Sequence, residues 1–427
     1  MKFWYGIRTA SLKDKGQKTK MHKINRNIFL IVALLLSMGV GAQNMTSSPY
    51  SRYAYGDMNE NVPTGYRGMG GVGFGMRSSK AINPSQPASY TGMDSLTFMF
   101  DIAASASWSR YRDAGGMKNK ANGNLEYVTL QFPLYKRWIA MSVGLLPYSS
   151  VGYDITLKDS IPGYHFAKNY SGDGNISQVY GGLSFNICNW FALGANIYYM
   201  WGDLDRMRTL TFTETGLNTT IQSEILSVSN VRFRAGAQFF HTFGDHTFNV
   251  GAIFENKMKL NSEYILIETQ TDDSIPIFKD GWQLPMVWGV GASYTWANRL
   301  TIGVDYERQC MASALYNGAP GYMSGLQDRN RLAVGAEYRH NPSGRKYVEH
   351  MIWRAGVNIQ DEYLTTIGAK RISASIGIGF PLWTIGTVIN TTIEYTHRGS
   401  AAGLEDNSLR FTIGASVAEN WFFKRKL

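Results

Sequence analysis

The chain has 427 residues and a formal net charge of +10, with 45 Gly, 25 Tyr, 21 Phe and 11 Trp beside 12 Pro and 2 Cys. Excess charge gathers near the N-terminus and in Lys424, Arg425 and Lys426, and no basic patch falls in a recognisable module, which argues against nucleic acid as a partner. The seven His lack metal-ligand spacing, and there is no nucleophile elbow or separated carboxylate pair, so the residues assign no metal, no cofactor and no enzymatic activity.

The chain opens on a targeting signal. Ile28–Val40 is an apolar run preceded by His22, Lys23 and Arg26 and followed by Gly41 and Ala42. This order of charged, apolar and small residues predicts a signal peptide over 1–42 and a mature chain starting at Gln43. The run is too short for a membrane helix, which needs about 20 residues. Met21-His22-Lys23 reads as a more ordinary start than Met1, and Gln43 in place of Cys predicts no lipid anchor.

Residues 43–95 show little strand alternation. They hold Gly68, Gly70, Gly71, Gly73 and Gly75, then Pro84 and Pro87. A phosphate-binding loop would need a preceding strand, a following helix and a Lys-Ser/Thr pair, none of which is present. Glycines also let main chain approach main chain, so Gly70 and Gly71 are read as tight packing of a plug inside a barrel.

From Leu96 onward the chain reads as long period-two segments: 96–110, 123–133, 138–157, 175–187, 191–202, 224–240, 246–262, 281–296, 299–310, 328–340, 350–361, 368–380, 386–398 and 408–420. Membrane-crossing strands need about 9–11 residues, whereas globular strands average about 5 or 6. In 328–340, Leu332, Val334, Ala336 and Tyr338 share one face, against Arg331, Gly335, Glu337 and Arg339. An apolar outside and a polar inside fit a barrel in lipid. Connections alternate between short ones (134–137, 188–190, 241–245, 297–298, 341–349, 381–385) and longer ones (158–174, 203–223, 263–280, 311–327). Short periplasmic turns and long outer loops produce that asymmetry. The expected fold is an all-β, 14-stranded antiparallel transmembrane barrel over 96–427 in a bacterial outer membrane, with both termini periplasmic and an N-terminal hatch or plug, 43–95, in the lumen.

The inward phase carries Arg232, Arg234, Arg331, Arg339, Arg354 and Arg410 with Asp305, Glu307, Glu337 and Glu394, a charge network able to pair across strands and hold plug carbonyls. The third segment contains Pro147 flanked by Gly144 and Gly152. Proline removes a ladder donor, so a bulge there either opens the wall sideways or lies harmlessly near a rim. Cys188 and Cys310 fall at opposite rims, too far apart for the roughly 7 Å that a disulfide spans.

A Gly-rich stretch leading into INPSQPASY (Ile82–Tyr90) and DSLTFMFDIAASAS (Asp94–Ser107), with SPYSRYAYGD (Ser48–Asp57) and the closing ENWFFKRKL (Glu419–Leu427), resembles the long-chain fatty acid transporter family of outer-membrane proteins, in its divergent Bacteroidetes-type form. The resemblance implies a hatch whose Asn-Pro-Ala element maps in part onto Asn83-Pro84 and Pro87-Ala88, and a third-strand kink giving lateral exit to hydrophobic substrate. The charged lumen departs from a greasy conduit. Two functions therefore stand open: a transporter of hydrophobic small molecules, or a non-transporting subunit of a larger outer-membrane protein complex. The partners these imply are outer-membrane lipids, a hydrophobic ligand and other outer-membrane proteins.

Overall fold

A computed structural model describes residues 46–113, 116–162, 164–212, 218–268, 274–321, 323–341, 344–365, 368, 370–382, 386–399 and 403–420. The expected signal region, Met21, Gln43 and the end of the closing motif, 421–427, lie outside the described residues.

Fourteen long strands form the wall: β1 (Thr97–Asp113), β2 (Gly116–Tyr135), β3 (Ile139–Ile161), β4 (Tyr164–Cys188), β5 (Phe191–Phe212), β6 (Thr220–Phe243), β7 (His246–Glu255), β8 (Val287–Trp296), β9 (Leu300–Gln309), β10 (Arg329–Arg339), β11 (Ile352–Asp361), β12 (Lys370–Pro381), β13 (Val388–Gly399) and β14 (Glu405–Asn420). Each pairs antiparallel with the next, and β14 returns to β1 in unbroken register from Thr97↔Asn420 to Arg112↔Glu405. The sheet is a closed ring. Closure follows from the medium, because an unpaired backbone group in hydrocarbon costs several kcal/mol.

The faces are inverted relative to a water-soluble protein. On β10, Leu332, Val334 and Tyr338 are exposed, while Arg331, Ala333 and Glu337 are buried. β11 and β14 repeat this, with Trp353, Val357, Ile359, Leu409, Phe411 and Ile413 outward. Aromatic side chains mark both borders of the apolar band, Trp190 and Phe239 near the short turns and Tyr199 and Trp201 nearer the long-loop end. From Trp190 to Tyr199 the strand advances about 30 Å, or roughly 23 Å after barrel tilt, close to the height of a lipid-facing band.

β3 to β6 run far beyond that band. Segments expected as loops, 158–174 and 203–223, are largely strand: β3 and β4 stay paired to Ile161↔Tyr164, and β5 continues to Phe212. Residues Ser262–Glu268 and Ser274–Lys279 extend the projecting sheet past β6. Two glycines at the expected loop boundaries are bends within strands. Gly174 and Gly202 have φ of +123° and +147°, and a Cβ at either would stand 2.2 Å or 2.1 Å from a carbonyl oxygen of the neighbouring strand. Conversely, β7 stops at Glu255 and β8 starts at Val287, so parts of the expected 246–262 and 281–296 strands leave the wall and fold over the long-loop end. There they join an apolar cluster of Trp282, Leu284, Met311, Leu326 and Tyr363 with Tyr50 and Tyr55 from the N-terminal segment.

A charge placed on the lipid face should therefore weaken the barrel in a depth-dependent way. Ile376→Arg, at a position 64 % exposed on β12, is expected to cost about 2–4 kcal/mol if it lies near the midplane. Denaturant unfolding in lipid vesicles, compared with Ile376→Leu, reads the difference; equal stability of the two variants would contradict the lipid-facing assignment.

Candidate functional site: the N-terminal segment and the inner wall

The inner wall carries glycines where strands meet the N-terminal segment, and this lets two backbones touch. A Cβ on Gly251 would fall 1.8 Å from the Phe74 carbonyl oxygen, and one on Gly356 would fall 2.1 Å from the Met69 carbonyl carbon. The segment's own Gly70 and Gly71 have φ of +71° and +80°; a Cβ on Gly71 would overlap Arg331 Nη2 at 2.1 Å. Side chains thus give way to main chain on both sides.

Wall side chains then satisfy the segment's backbone. Arg331 Nη2 donates to the Gly70 and Gly71 carbonyls at 3.1 and 3.0 Å, and Asn358 Nδ2 donates to the Gly70 carbonyl at 3.1 Å. Asp305 Oδ2 accepts from the Gly73 and Phe74 amides at 2.6 and 2.8 Å. Asn83 Nδ2 donates to the Gly73 carbonyl at 2.8 Å, a bond within the segment. The Pro84 carbonyl accepts from Asn196 Nδ2 and Tyr198 Oη at 3.0 and 3.2 Å, and the Ala88 carbonyl from Ser184 Oγ at 3.0 Å. Pro87 opens the short 3-10 turn Pro87–Gly92 and packs where a Cβ on Gly194 would sit.

The charged residues fall into separate clusters. Glu255 is gripped by Arg232, at 2.5 Å, and by Arg234. Glu337 bridges Arg354 and Arg339 at 2.7 and 2.6 Å. Arg67 of the segment meets Glu126 at 2.9 Å and Glu394 at 3.5 Å, while Arg331 meets Glu60 at 3.2 Å. Arg398 joins Asp57 and Glu362 at 3.1 and 2.9 Å. Arg410 and Glu307 line cavities beside these clusters, with no direct ion pair among the described residues. Asp305 departs from the simple cross-strand scheme, because its acceptor oxygen is taken by backbone amides rather than by an arginine.

Several members escaped sequence reading. Glu255 shared the inward period of Asn249, Gly251 and Ile253 and could have been found by extending it. Asp57, Glu60 and Arg67 lie in a stretch without periodicity, so nothing local marked them. Burial pushes the Glu60 carboxyl up, but Arg331, Arg329 and Arg67 together outweigh it and hold the group below its ordinary range. The stabilisation this supplies is present above the unfolded carboxyl range and is lost as pH falls through the lowered value.

The third strand behaves differently from the rest. β2 and β3 pair only from Tyr135↔Ile139 to Val128↔Leu145, after which they part. The β3–β4 register shifts between Pro147 and Ser149, a bulge where Pro147 needs no donor toward β2. Gly144 sits just before the split, where a Cβ would meet the Val128 carbonyl oxygen at 2.7 Å. The exposed edge is taken up from inside: Asp57 and Met58 pair with Ser150 and Ser149. Ser51 Oγ both accepts from the Gly152 amide at 3.0 Å and donates to its carbonyl at 3.1 Å.

Among the described residues the cavities at the centre are small. Central cavities beside Glu60 measure about 80 and 90 Å³ and are lined mainly by polar and charged groups. At the long-loop end Trp282 packs edge-on to Tyr55 and Tyr316, at centroid distances of 5.2 and 4.4 Å. Larger cavities of about 510 and 290 Å³ open at the short-turn end around Arg77 and Phe240. Cys188 lies at the short-turn end and Cys310 at the other, both as free thiols.

The BamG family profile matches residues 24–427. The chain belongs to the BamG family. No curated protein matches this BamG-family chain. Among solved structures it is similar to a Pseudomonas aeruginosa FadL homologue (14% identity, 85% of this chain and 99% of that one, TM-score 0.57). It is also similar to the P. putida toluene transporter TodX (12%, 86% and 100%, TM-score 0.60) and the Ralstonia pickettii toluene transporter TbuX (15%, 84% and 98%, TM-score 0.56). At these identities the likeness is one of fold. The expected kinship with fatty acid transporters holds at that level, and the family itself is BamG.

Two substitutions test how firmly the segment is held. Arg331→Met removes the donor to two carbonyls and the partner of Glu60, at an expected cost of about 3–5 kcal/mol. Gly71→Ala forces a Cβ into Arg331 in a left-handed conformation, at about 1–3 kcal/mol. Hydrogen exchange over residues 60–75 should rise in both while the β10–β11 amides stay protected; unchanged exchange would contradict the contacts.

Proposed function

We propose that this BamG-family barrel resides in a bacterial outer membrane as a non-transporting subunit of a larger outer-membrane protein assembly. Residues 43–95 then act as a fixed plug, both termini are periplasmic, and the tall β3–β6 sheet stands outside. The observation that carries this reading is the seal. The segment is bonded to strands around the ring, fills the split beside Pro147 through Asp57 and Met58, and contributes Tyr50 and Tyr55 to the apolar cluster at the long-loop end. Central cavities near 80–90 Å³ are well below the roughly 300–1,000 Å³ of an ordinary small-molecule site. Membership in the BamG family points the same way.

Passage of hydrophobic small molecules is the second reading. It is favoured by the parting of β2 and β3 beyond Leu145, which is where a lateral exit at Gly144, Pro147 and Gly152 would form, and by a fold shared with the toluene transporters TodX and TbuX. It requires the N-terminal segment to leave Ser149 and Ser150.

Purification in mild detergent followed by native mass spectrometry separates the two. The subunit reading expects other outer-membrane proteins at fixed stoichiometry and no apolar ligand; a monomer carrying a lipid-like molecule overturns it. A Met58→Cys/Ser149→Cys disulfide should leave assembly intact, whereas transport would be blocked by oxidation and restored by reduction. For orientation, Lys158→Cys at the β3 tip, in a Cys188→Ser/Cys310→Ser background, should react with a membrane-impermeant maleimide on intact cells.

A further inference from the structure

At the short-turn end, the cavities of about 510 and 290 Å³ share Arg77, Ser79 and Phe240, so they form one hollow around that arginine. The larger falls within the roughly 300–1,000 Å³ of an ordinary binding site. Arg77 Nη1 donates to the Ala88 carbonyl at 2.9 Å and to Gln238 Oε1 at 3.3 Å. Its Nη2 donates to Thr91 Oγ1 and Asn186 Oδ1 at 2.9 and 3.1 Å, and the guanidinium lies 4.0 Å from the centre of the Phe240 ring. All of these partners are neutral. Burial pushes the group down to about 10, with no carboxylate near enough to offset it.

The wall of the hollow does not supply the missing charge. Asp94 is held by Arg137 at 2.9 Å, and Glu337 is shared by Arg339 and Arg354. Elsewhere in the lumen Arg67, Arg232, Arg331 and Arg398 each meet a carboxylate. Arg206 and Arg329 make no ion pair among the described residues either. The Arg52 and Ala54 carbonyls close over Arg206, however, and Arg329 borders a cavity of only about 80 Å³. An uncompensated buried cation is strongly destabilising. Beside an open hollow, it is a place for an anion from outside.

The hollow is inside the ring, so it is reached from the aqueous phase at the short-turn end rather than from lipid. Ser79, Asn189, Thr247 and Asn298 add hydroxyl and amide groups to its lining, next to the Phe240 and Trp138 rings. Hydroxyls and amides both donate and accept, as a peptide main chain requires, and guanidinium pairs strongly with carboxylate. We propose that this hollow takes an acidic peptide segment of a partner chain, with one of its carboxylates against Arg77. That the segment comes from a fellow subunit, on the periplasmic side, rests on the assembly reading above.

Photo-crosslinking on the full chain in intact cells tests this, with p-benzoylphenylalanine in place of Asn189 and the attached peptide sequenced. The attached segment should carry an Asp, a Glu or a free C-terminus within about three residues, roughly 10 Å of extended chain. Arg77→Gln should lower the yield by about tenfold or more, whereas Arg77→Lys, which keeps the charge, should retain most of it. Ser79→Trp leaves Arg77 in place but fills the hollow, and should lower the yield to the same degree. Unheated gel mobility verifies that each barrel is folded. Unchanged yield in Arg77→Gln and Ser79→Trp, a segment without a carboxylate, or attachment to lipid or a small molecule alone overturns the proposal. Partners retained at fixed stoichiometry with nothing attached at Asn189 overturn it and leave the assembly reading standing; a monomer with nothing attached overturns both.

Discussion

Backbone hydrogen bonding in a medium without water is the constraint on which the structure depends. Inside hydrocarbon every strand edge needs a partner, and the β1–β14 register supplies the last one, closing the sheet. The same demand bears on the place where β2 and β3 separate. Once β3 leaves β2 beyond Leu145, its exposed edge is met by Asp57, Met58 and Ser51 from within. Wall and N-terminal segment are therefore one hydrogen-bonded system rather than a barrel with an object placed inside it.

The interior follows from the polarity this closure imposes. Apolar side chains are drawn outward to lipid, so the lumen is left with charges that must find partners on removal from bulk water. Arg67 with Glu126 and Glu394, and Arg398 with Asp57 and Glu362, span from the N-terminal segment or loops to the wall. Such pairs contribute little net stability against their own desolvation, but a misplaced segment would strand several charges at once. Their effect is to fix one position for the segment. Apolar packing then seals the long-loop end, where Tyr55 and Trp282 are almost wholly buried.

Glycine carried two opposite meanings that the chain alone did not separate. At Gly251 and Gly356 the absent side chain makes room for another backbone, and at Gly174 and Gly202 it allows a strand to bend without ending. The expected boundaries at 174–175 and 202–203 fall at these two glycines, so the expected strands were shorter than β4 and β5 and loops were placed where a tall sheet stands. Pro147 was legible as a discontinuity in the third strand. That the discontinuity coincides with loss of pairing to β2, and is filled by the chain's own N-terminal segment, was not.

The residue pattern by itself determined the number of wall strands and which residues of each alternate between lipid and lumen where it crosses the apolar band, because alternation has a period of two and is set by bonds between neighbours in sequence. It also determined that Arg232, Arg331 and Arg354 point inward. Only the tertiary structure decided which groups those residues meet. Asp57 and Arg398, or Glu60 and Arg331, are brought together by ring closure and stagger, which depend on every strand at once and leave no periodic trace in either partner's surroundings.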